Sequence, residues 1–234
     1  MKLLHLYHDI MSLYGEYANV LLLRDALRQF GDCEIEKKTV GDDFRFDAYD
    51  FVYIGSGTER GQKCVLADFR KRRDEFTAYV NSGKTALLTG NAFEMLGNFI
   101  TDCDGTRFEG LGMMDFTVTE QNKTRDTADA IFTADFLSRP AVGFINKCSE
   151  IHGVSKPLFN VKMGLGNQKD DTGEGVRLRN LFGTHLTGPA LVKNPELLVM
   201  MAKLISGKIP APNPYSVKSY EVTLRELEKR LDEA

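Results

Sequence analysis

The sequence predicts an α/β domain: a mostly parallel sheet with helices on both faces and antiparallel strands added in its second half. Three observations predict it. Short apolar runs alternate with helical patterns in the order β-α-β-β-α-β through the first 90 residues. The central runs Phe51-Val52-Tyr53-Ile54 and Thr85-Ala86-Leu87-Leu88-Thr89 lack polar alternation, as strands covered on both faces do. Beyond residue 110 the strand-like runs are separated by turns such as Gly164-Leu165-Gly166-Asn167.

Residues 2–7 read as the first strand. Residues 14–30 follow as a helix carrying Val20, Leu21, Leu22, Leu23, Ala26 and Leu27 and ended by Gly31. Residues 33–40 alternate as a strand and 51–54 form a buried one. Residues 63–82 read as one long helix before Ser82-Gly83, and 85–89 as the next strand. Further strands are expected at 114–119, 141–145, 158–163 and 176–182, and a helix at 195–206 after Asn194-Pro195. The stiff segment Ile209-Pro210-Ala211-Pro212-Asn213-Pro214 leads to a charged helix with Leu224, Leu227 and Leu231 on one stripe. The chain therefore divides into a domain over 1–208 and a Pro-rich linker with a C-terminal helix over 209–234. That helix is expected to pack on its own domain, with a partner-binding role as the alternative.

At 234 residues, 42% hydrophobic and 27% charged, the chain can bury one sizeable core. A net charge of −3 gives no reason to expect nucleic acid, which demands clustered cations on one face. The one dense basic run, Arg70-Lys71-Arg72-Arg73, is interleaved with Asp68, Asp74 and Glu75 and reads as a solvated helix face. No apolar stretch approaches the roughly 18 residues of a membrane span, and histidines interrupt the short apolar N-terminus before a signal sequence could form. A cytoplasmic protein is expected. The four cysteines show no CxxC or metal-ligand spacing, so neither a structural metal nor a cofactor is expected.

Two segments carry a family resemblance. After the strand at 51–54 comes Gly55-Ser56-Gly57-Thr58-Glu59-Arg60-Gly61-Gln62, a small-residue loop opening a helix, where backbone N–H groups can converge on an anion. Downstream stand Glu109-Gly110-Leu111-Gly112, Gly164-Leu165-Gly166-Asn167, and Gly183-Thr184-His185-Leu186-Thr187-Gly188-Pro189 with Lys193-Asn194-Pro195. In that order they resemble the cobyric-acid-synthase type of class I (triad) glutamine amidotransferase domain. From residue 2 to 206 the chain is similar to the glutaminase subunit of lipid II isoglutaminyl synthase. The resemblance implies a flavodoxin-like fold, glutamine hydrolysis by a Cys-His pair, and ammonia delivery to an ATP-dependent, Mur-ligase-like partner that amidates a cell-wall precursor.

The catalytic positions depart from the family. Its nucleophile stands in apolar-x-Cys-Gly-Gly-aromatic-Gln; here the stretch reads Leu88-Thr89-Gly90-Asn91-Ala92-Phe93-Glu94, so Gly90 occupies the nucleophile position and Asn91 follows it. Glycine has no group with which to attack an amide, yet it tolerates the strained backbone of such an elbow. The family histidine falls at Thr187, which is no base near neutral pH, while His185 two residues earlier is a candidate displaced base or a structural histidine. Arg125, in Asn122-Lys123-Thr124-Arg125, matches a family arginine implicated in substrate binding and could clamp glutamine or another small carboxylate, or face solvent. Gly55 and Gly57 complete the expected binding loop. Cys148 and His152, placed in a loop by their neighbours, make an unpromising catalytic pair. The reading favoured is a non-catalytic amidotransferase-like subunit. Two alternatives stand beside it: an active subunit using other residues or an ammonia-dependent partner, and a small anion- or nucleotide-binding protein using the loop at 55–61.

Overall fold

The computed structural model describes residues 1–121 and 125–233. Its central sheet has six strands in the order β13-β14-β4-β3-β1-β2, where β1 is Lys2–Leu6, β2 Glu34–Lys38, β3 Phe51–Ile54, β4 Thr85–Thr89, β13 Val176–Leu178 and β14 Leu181–Thr184. Five run parallel and only the edge strand β13 is antiparallel. Successive side chains on a strand point to opposite faces, and the core divides accordingly. Leu4, Val52, Ile54, Ala86 and Leu88 pack with Val65, Phe69 and Phe76 on one face. Leu3, Phe51, Tyr53 and Leu87 pack with Val20, Leu23, Leu27 and Met201 on the other. The uninterrupted apolar runs of the sequence are the consequence of this double cover.

Helices α1 (Ala18–Leu27), α4 (Ala190–Lys193) and α5 (Pro195–Ser206) cover the second face, and α2 (Glu59–Phe69) and α3 (Arg73–Asn81) the first. The helix expected at 14–30 is narrower, with short 3₁₀ turns at Leu13–Gly15 and Arg28–Phe30 on either side of α1. The helix expected at 63–82 is two helices joined by a 3₁₀ turn at Arg70–Arg72. There Arg72 turns inward, donates to the Phe44 carbonyl at 3.1 Å and stacks on the Phe44 ring at 4.1 Å.

The second half adds β14 to the central sheet in parallel beside β4, and β13, its hairpin partner, as the antiparallel edge. The remaining strands build two separate four-stranded sheets. One is β10-β7-β5-β6, from β5 (Phe99–Thr101), β6 (Arg107–Glu109), β7 (Thr117–Glu120) and β10 (Ser149–His152). The other is β12-β11-β8-β9, from β8 (Asp126–Thr133), β9 (Ala141–Lys147), β11 (Phe159–Met163) and β12 (Gly173–Glu174). Cys148 and His152 thus lie at and within strand pairing rather than in a loop. Helix α6 (Pro214–Asp232), capped by the Asn213 side chain, seats Tyr220 and Leu227 on Ile131 and Val142 of β8 and β9, and Arg230 reaches Asp129 at 2.6 Å. No helix among the described residues is long and apolar enough to cross a membrane.

The parallel register positions the candidate site. Ile54 pairs with Leu88, and Thr89 with Thr184, so the carboxyl ends of β3, β4 and β14 lie side by side. The loop at 55–58, the elbow at Gly90 and the segment from His185 all leave the sheet along this edge, where open α/β sheets place their ligands.

Candidate functional site

At the end of β4 the chain turns sharply at Gly90, whose φ of +58° lies in the left-handed region that favours glycine, and continues as 3₁₀ turns over Gly90–Leu96. The elbow expected from the sequence is present. Facing it is Ser56, on the loop after β3. A Cβ added at Gly90 would overlap the Ser56 hydroxyl and stand 2.7 Å from the Ser56 Cβ. The space a side chain at 90 needs is therefore filled from across the cleft. Ser56 Oγ is itself buried without a hydrogen-bond partner among the described residues.

The loop's glycines answer to packing. A Cβ at Gly55 would come within 2.7 Å of the Met11 carbonyl oxygen, and one at Gly57 would run into the Met11 side chain. Two of the amides expected to meet an anion are instead bonded to protein groups. Gly57 N donates to Asn91 Oδ1 at 2.9 Å while Asn91 Nδ2 donates back to the Gly57 carbonyl at 3.0 Å; Gly61 N donates to Thr58 Oγ1, the cap of α2, at 3.0 Å. Asn91 thus ties the elbow to the loop. Asn91→Ala leaves both Gly57 groups without these partners and is expected to lower stability by about 1–3 kcal/mol in denaturant titration.

Behind the elbow lies a set of buried polar side chains. Glu94, in the 3₁₀ run, accepts from Gln62 Nε2 at 2.7 Å, from the Ser149 hydroxyl, and lies 3.0 Å from His185 Nε2. Glu174 of β12 accepts from the His185 amide at 2.7 Å and from Thr184 Oγ1 at 2.6 Å, with its carboxylate 3.8 Å from His185 Nδ1. Lys147, at the end of β9, donates its ammonium to the carbonyls of Gly166 and Asn167 at 2.6 and 2.7 Å. Burial alone would raise the Glu94 carboxyl, but the hydrogen bonds and charge of His185, with Ser149 and Gln62, hold it below its ordinary value. Burial prevails at Glu174, which is raised, and at Lys147, which is lowered. His185 Nε2 and the Glu94 carboxylate share that hydrogen bond. The His185 imidazole is held between the carboxyl groups of Glu94 and Glu174 and edge-on to Phe93, 4.5 Å between ring centres, with no thiol or hydroxyl among the described residues bonded to it. A third buried acid, Glu16, accepts from Thr89 and, at 3.2 Å, from the Tyr53 hydroxyl directly below the elbow.

Arg125 forms the rim. Both its terminal nitrogens donate to Glu59 Oε1, at 2.9 and 2.6 Å, and Nε donates to Asn146 Oδ1 at 3.0 Å. The Cys148 thiol donates to the same Glu59 oxygen at 3.0 Å, and burial and that carboxylate push the thiol's pKa upward. A carboxylate ligand of Arg125 would have to displace Glu59. The other three residues of the Asn122–Arg125 stretch lie outside the described residues.

Gly57, Gly90, Asn91, Arg125 and His185 thus come together around one cavity. Its volume is about 20 Å³, room for about one water. Gly55 and Thr187 are not among its walls. Thr187 is bound to β9, its amide and its hydroxyl each donating to the Phe144 carbonyl at 2.9 Å. Sequence reasoning passed over Ser56, Glu59, Glu94, Glu174 and Glu16. Of these only Glu94 carried a local signal, a lone charge in the apolar run Ala92-Phe93-Glu94-Met95-Leu96.

Comparisons with known proteins agree with this architecture. The chain is 28% identical over 200 residues to the lipid II isoglutaminyl synthase (glutamine-hydrolyzing) subunit GatD of Streptococcus pneumoniae, covering 84% of this chain and 77% of that one. It is 29% identical over 198 residues to the GatD subunit of Staphylococcus aureus, covering 84% and 81%. Among solved structures, the PurLQS structure from Thermotoga maritima superposes with a TM-score of 0.55 at 12% identity, over 95% of this chain and 98% of that one, a likeness of fold. Residues 2–195 match the CobB/CobQ-like glutamine amidotransferase domain, and the chain belongs to that family.

Proposed function

We propose that this chain is a cytoplasmic, non-catalytic amidotransferase-like subunit that serves an ATP-dependent, Mur-ligase-like partner in amidating a cell-wall precursor. The kinship with GatD subunits supports the pathway. One observation carries the non-catalytic reading: where a glutaminase needs a thiol in an open pocket, this chain has Gly90 beside a cavity of about 20 Å³, against the hundreds of cubic ångströms a small-molecule site ordinarily occupies. The hydroxyl of Ser56, the amide of Asn91 and the carboxylate of Glu59 take up the space, the backbone groups and the guanidinium that a substrate would use. The nucleotide-binding alternative is weakened by the same loop contacts.

The test is co-expression with a Mur-ligase-like partner and assay of precursor amidation with either glutamine or ammonium chloride as nitrogen source. Product from ammonium and none from glutamine, with no ammonia released from glutamine by the chain alone or in complex, is the expected result. Ammonia release that is lost on Ser56→Ala or His185→Ala would overturn the reading and identify the group that replaced the thiol.

A further inference from the structure

The basic run at the α2–α3 junction is not a uniformly solvated face. Arg72 turns back to the carbonyls of Asp42 and Phe44, whereas Arg70, Lys71 and Arg73 meet Arg107 of β6 around a second cavity of about 880 Å³. This cavity shares no residue with the walls of the one at Gly90. Four cationic side chains face it, against the single carboxylate of Glu109, which pairs with Arg70. Lys71, Arg73 and Arg107 have no carboxylate within ion-pair reach among the described residues. In a chain whose net charge is −3, that local excess of positive charge is unbalanced by its surroundings.

The floor is rigid. The amides of Gly110, Leu111 and Gly112 donate to the carbonyls of Asn98, Met95 and Gly97 at 2.9, 2.8 and 2.8 Å, so backbone donors are spent and recognition falls to the side chains. Arg107 is held over the Phe99 ring, 3.5 Å from its centre, which fixes one guanidinium at the rim. Arginine forks match the oxygens of phosphate in bidentate fashion, and the cavity has the volume of a small-molecule site. We infer that this cleft binds a small molecule bearing contiguous phosphate groups, whose three or more negative charges would balance the wall. Nucleoside polyphosphates and inorganic polyphosphate share that chemistry.

Calorimetric titration of the full chain at low salt with inorganic tripolyphosphate, ATP and citrate tests it. Tripolyphosphate is expected to bind, with affinity at least tenfold above citrate and at least tenfold weaker in the Arg73→Glu/Arg107→Glu variant. Glu109→Gln, which removes the carboxylate that pairs with Arg70, is expected to tighten binding severalfold, an effect of opposite sign that a folding defect cannot mimic. ATP binding tighter than tripolyphosphate would assign the site to a nucleotide, and equal binding to the phosphates alone. No detectable binding, or a loss matched by reversing Lys203 and Arg225 elsewhere on the surface, would overturn the proposal.

Discussion

Raising the pH from 5 to 8 is expected to destabilise the folded protein by about 3 kcal/mol through Glu16 alone, and Glu16→Gln is expected to abolish that part of the pH dependence. Glu16 is fully buried. Burial drives its carboxyl up, and hydrogen bonds from Thr89 and Tyr53 only partly offset this, leaving it at about 7 against an ordinary 4.5. An acid raised in this way holds its proton in the folded state after the unfolded chain has released it. Stability therefore falls between about pH 4.5 and 7 and levels off above. At about 1.4 kcal/mol per pH unit the interval amounts to about 3 kcal/mol, or about 6–12 °C in melting temperature for a chain of this length. Glu120, raised to about 7 by burial despite Lys63, and Glu174 act in the same direction, so the variant should retain a shallower slope. Melting curves of both proteins at pH 5 and 8 measure the difference; parallel losses in the two would refute the assignment to Glu16.

Restoring the family thiol is expected to damage the fold without creating activity. In Gly90→Cys the new Cβ sits at φ +58°, a conformation that disfavours L residues by about 1–2 kcal/mol, and it collides with Ser56, an overpacking that adds about 1–3 kcal/mol. A total loss of about 2–5 kcal/mol should be visible in the denaturation midpoint. The thiol would also lack a base: an ordinary cysteine is only a few per cent ionised at pH 7, His185 is engaged by Glu94, and Thr187 by Phe144. Adding Thr187→His places an imidazole where a hydroxyl now anchors the segment to β9, and the double variant should hydrolyse glutamine weakly at best in an ammonia-release assay. Gly90→Cys combined with Ser56→Gly should recover the stability lost to overpacking while remaining inactive. A single Gly90→Cys variant as stable as the parent, or one that releases ammonia, would contradict this account.

The elements most legible in the sequence were those with local signals at both ends. Helix α5 starts and stops where expected because Pro195 stands at its first turn and Gly207 adopts the left-handed conformation just beyond it. The buried strands β3 and β4 follow from their uninterrupted apolar runs. The break between α2 and α3 was not legible, since no glycine or proline marks it and it depends on Arg72 reaching Phe44, 28 positions away. The hairpin of β5 and β6 left only the Asp104-Gly105 pair as a turn signal, because its strands are three residues long and β6 holds a single apolar residue, Phe108. Gly90 could be placed by register with its neighbours. The role of His185 could not, because its restraint comes from Glu94, 91 positions distant, and from a β12 carboxylate. Likewise the partner of Arg125 is Glu59 on a different element, and neither residue announces the other.

The crowding of Ser56 against Gly90 also bears on which sequences are neighbours of this one. Two routes, each of two single substitutions, lead to a chain with glycine at 56 and cysteine at 90. The route that changes position 90 first passes through an overfilled, strained intermediate, whereas the route that changes position 56 first passes only through the loss of a small side chain whose hydroxyl has no partner. The two positions are therefore epistatic, and mutational order governs whether a thiol can be reintroduced at the elbow.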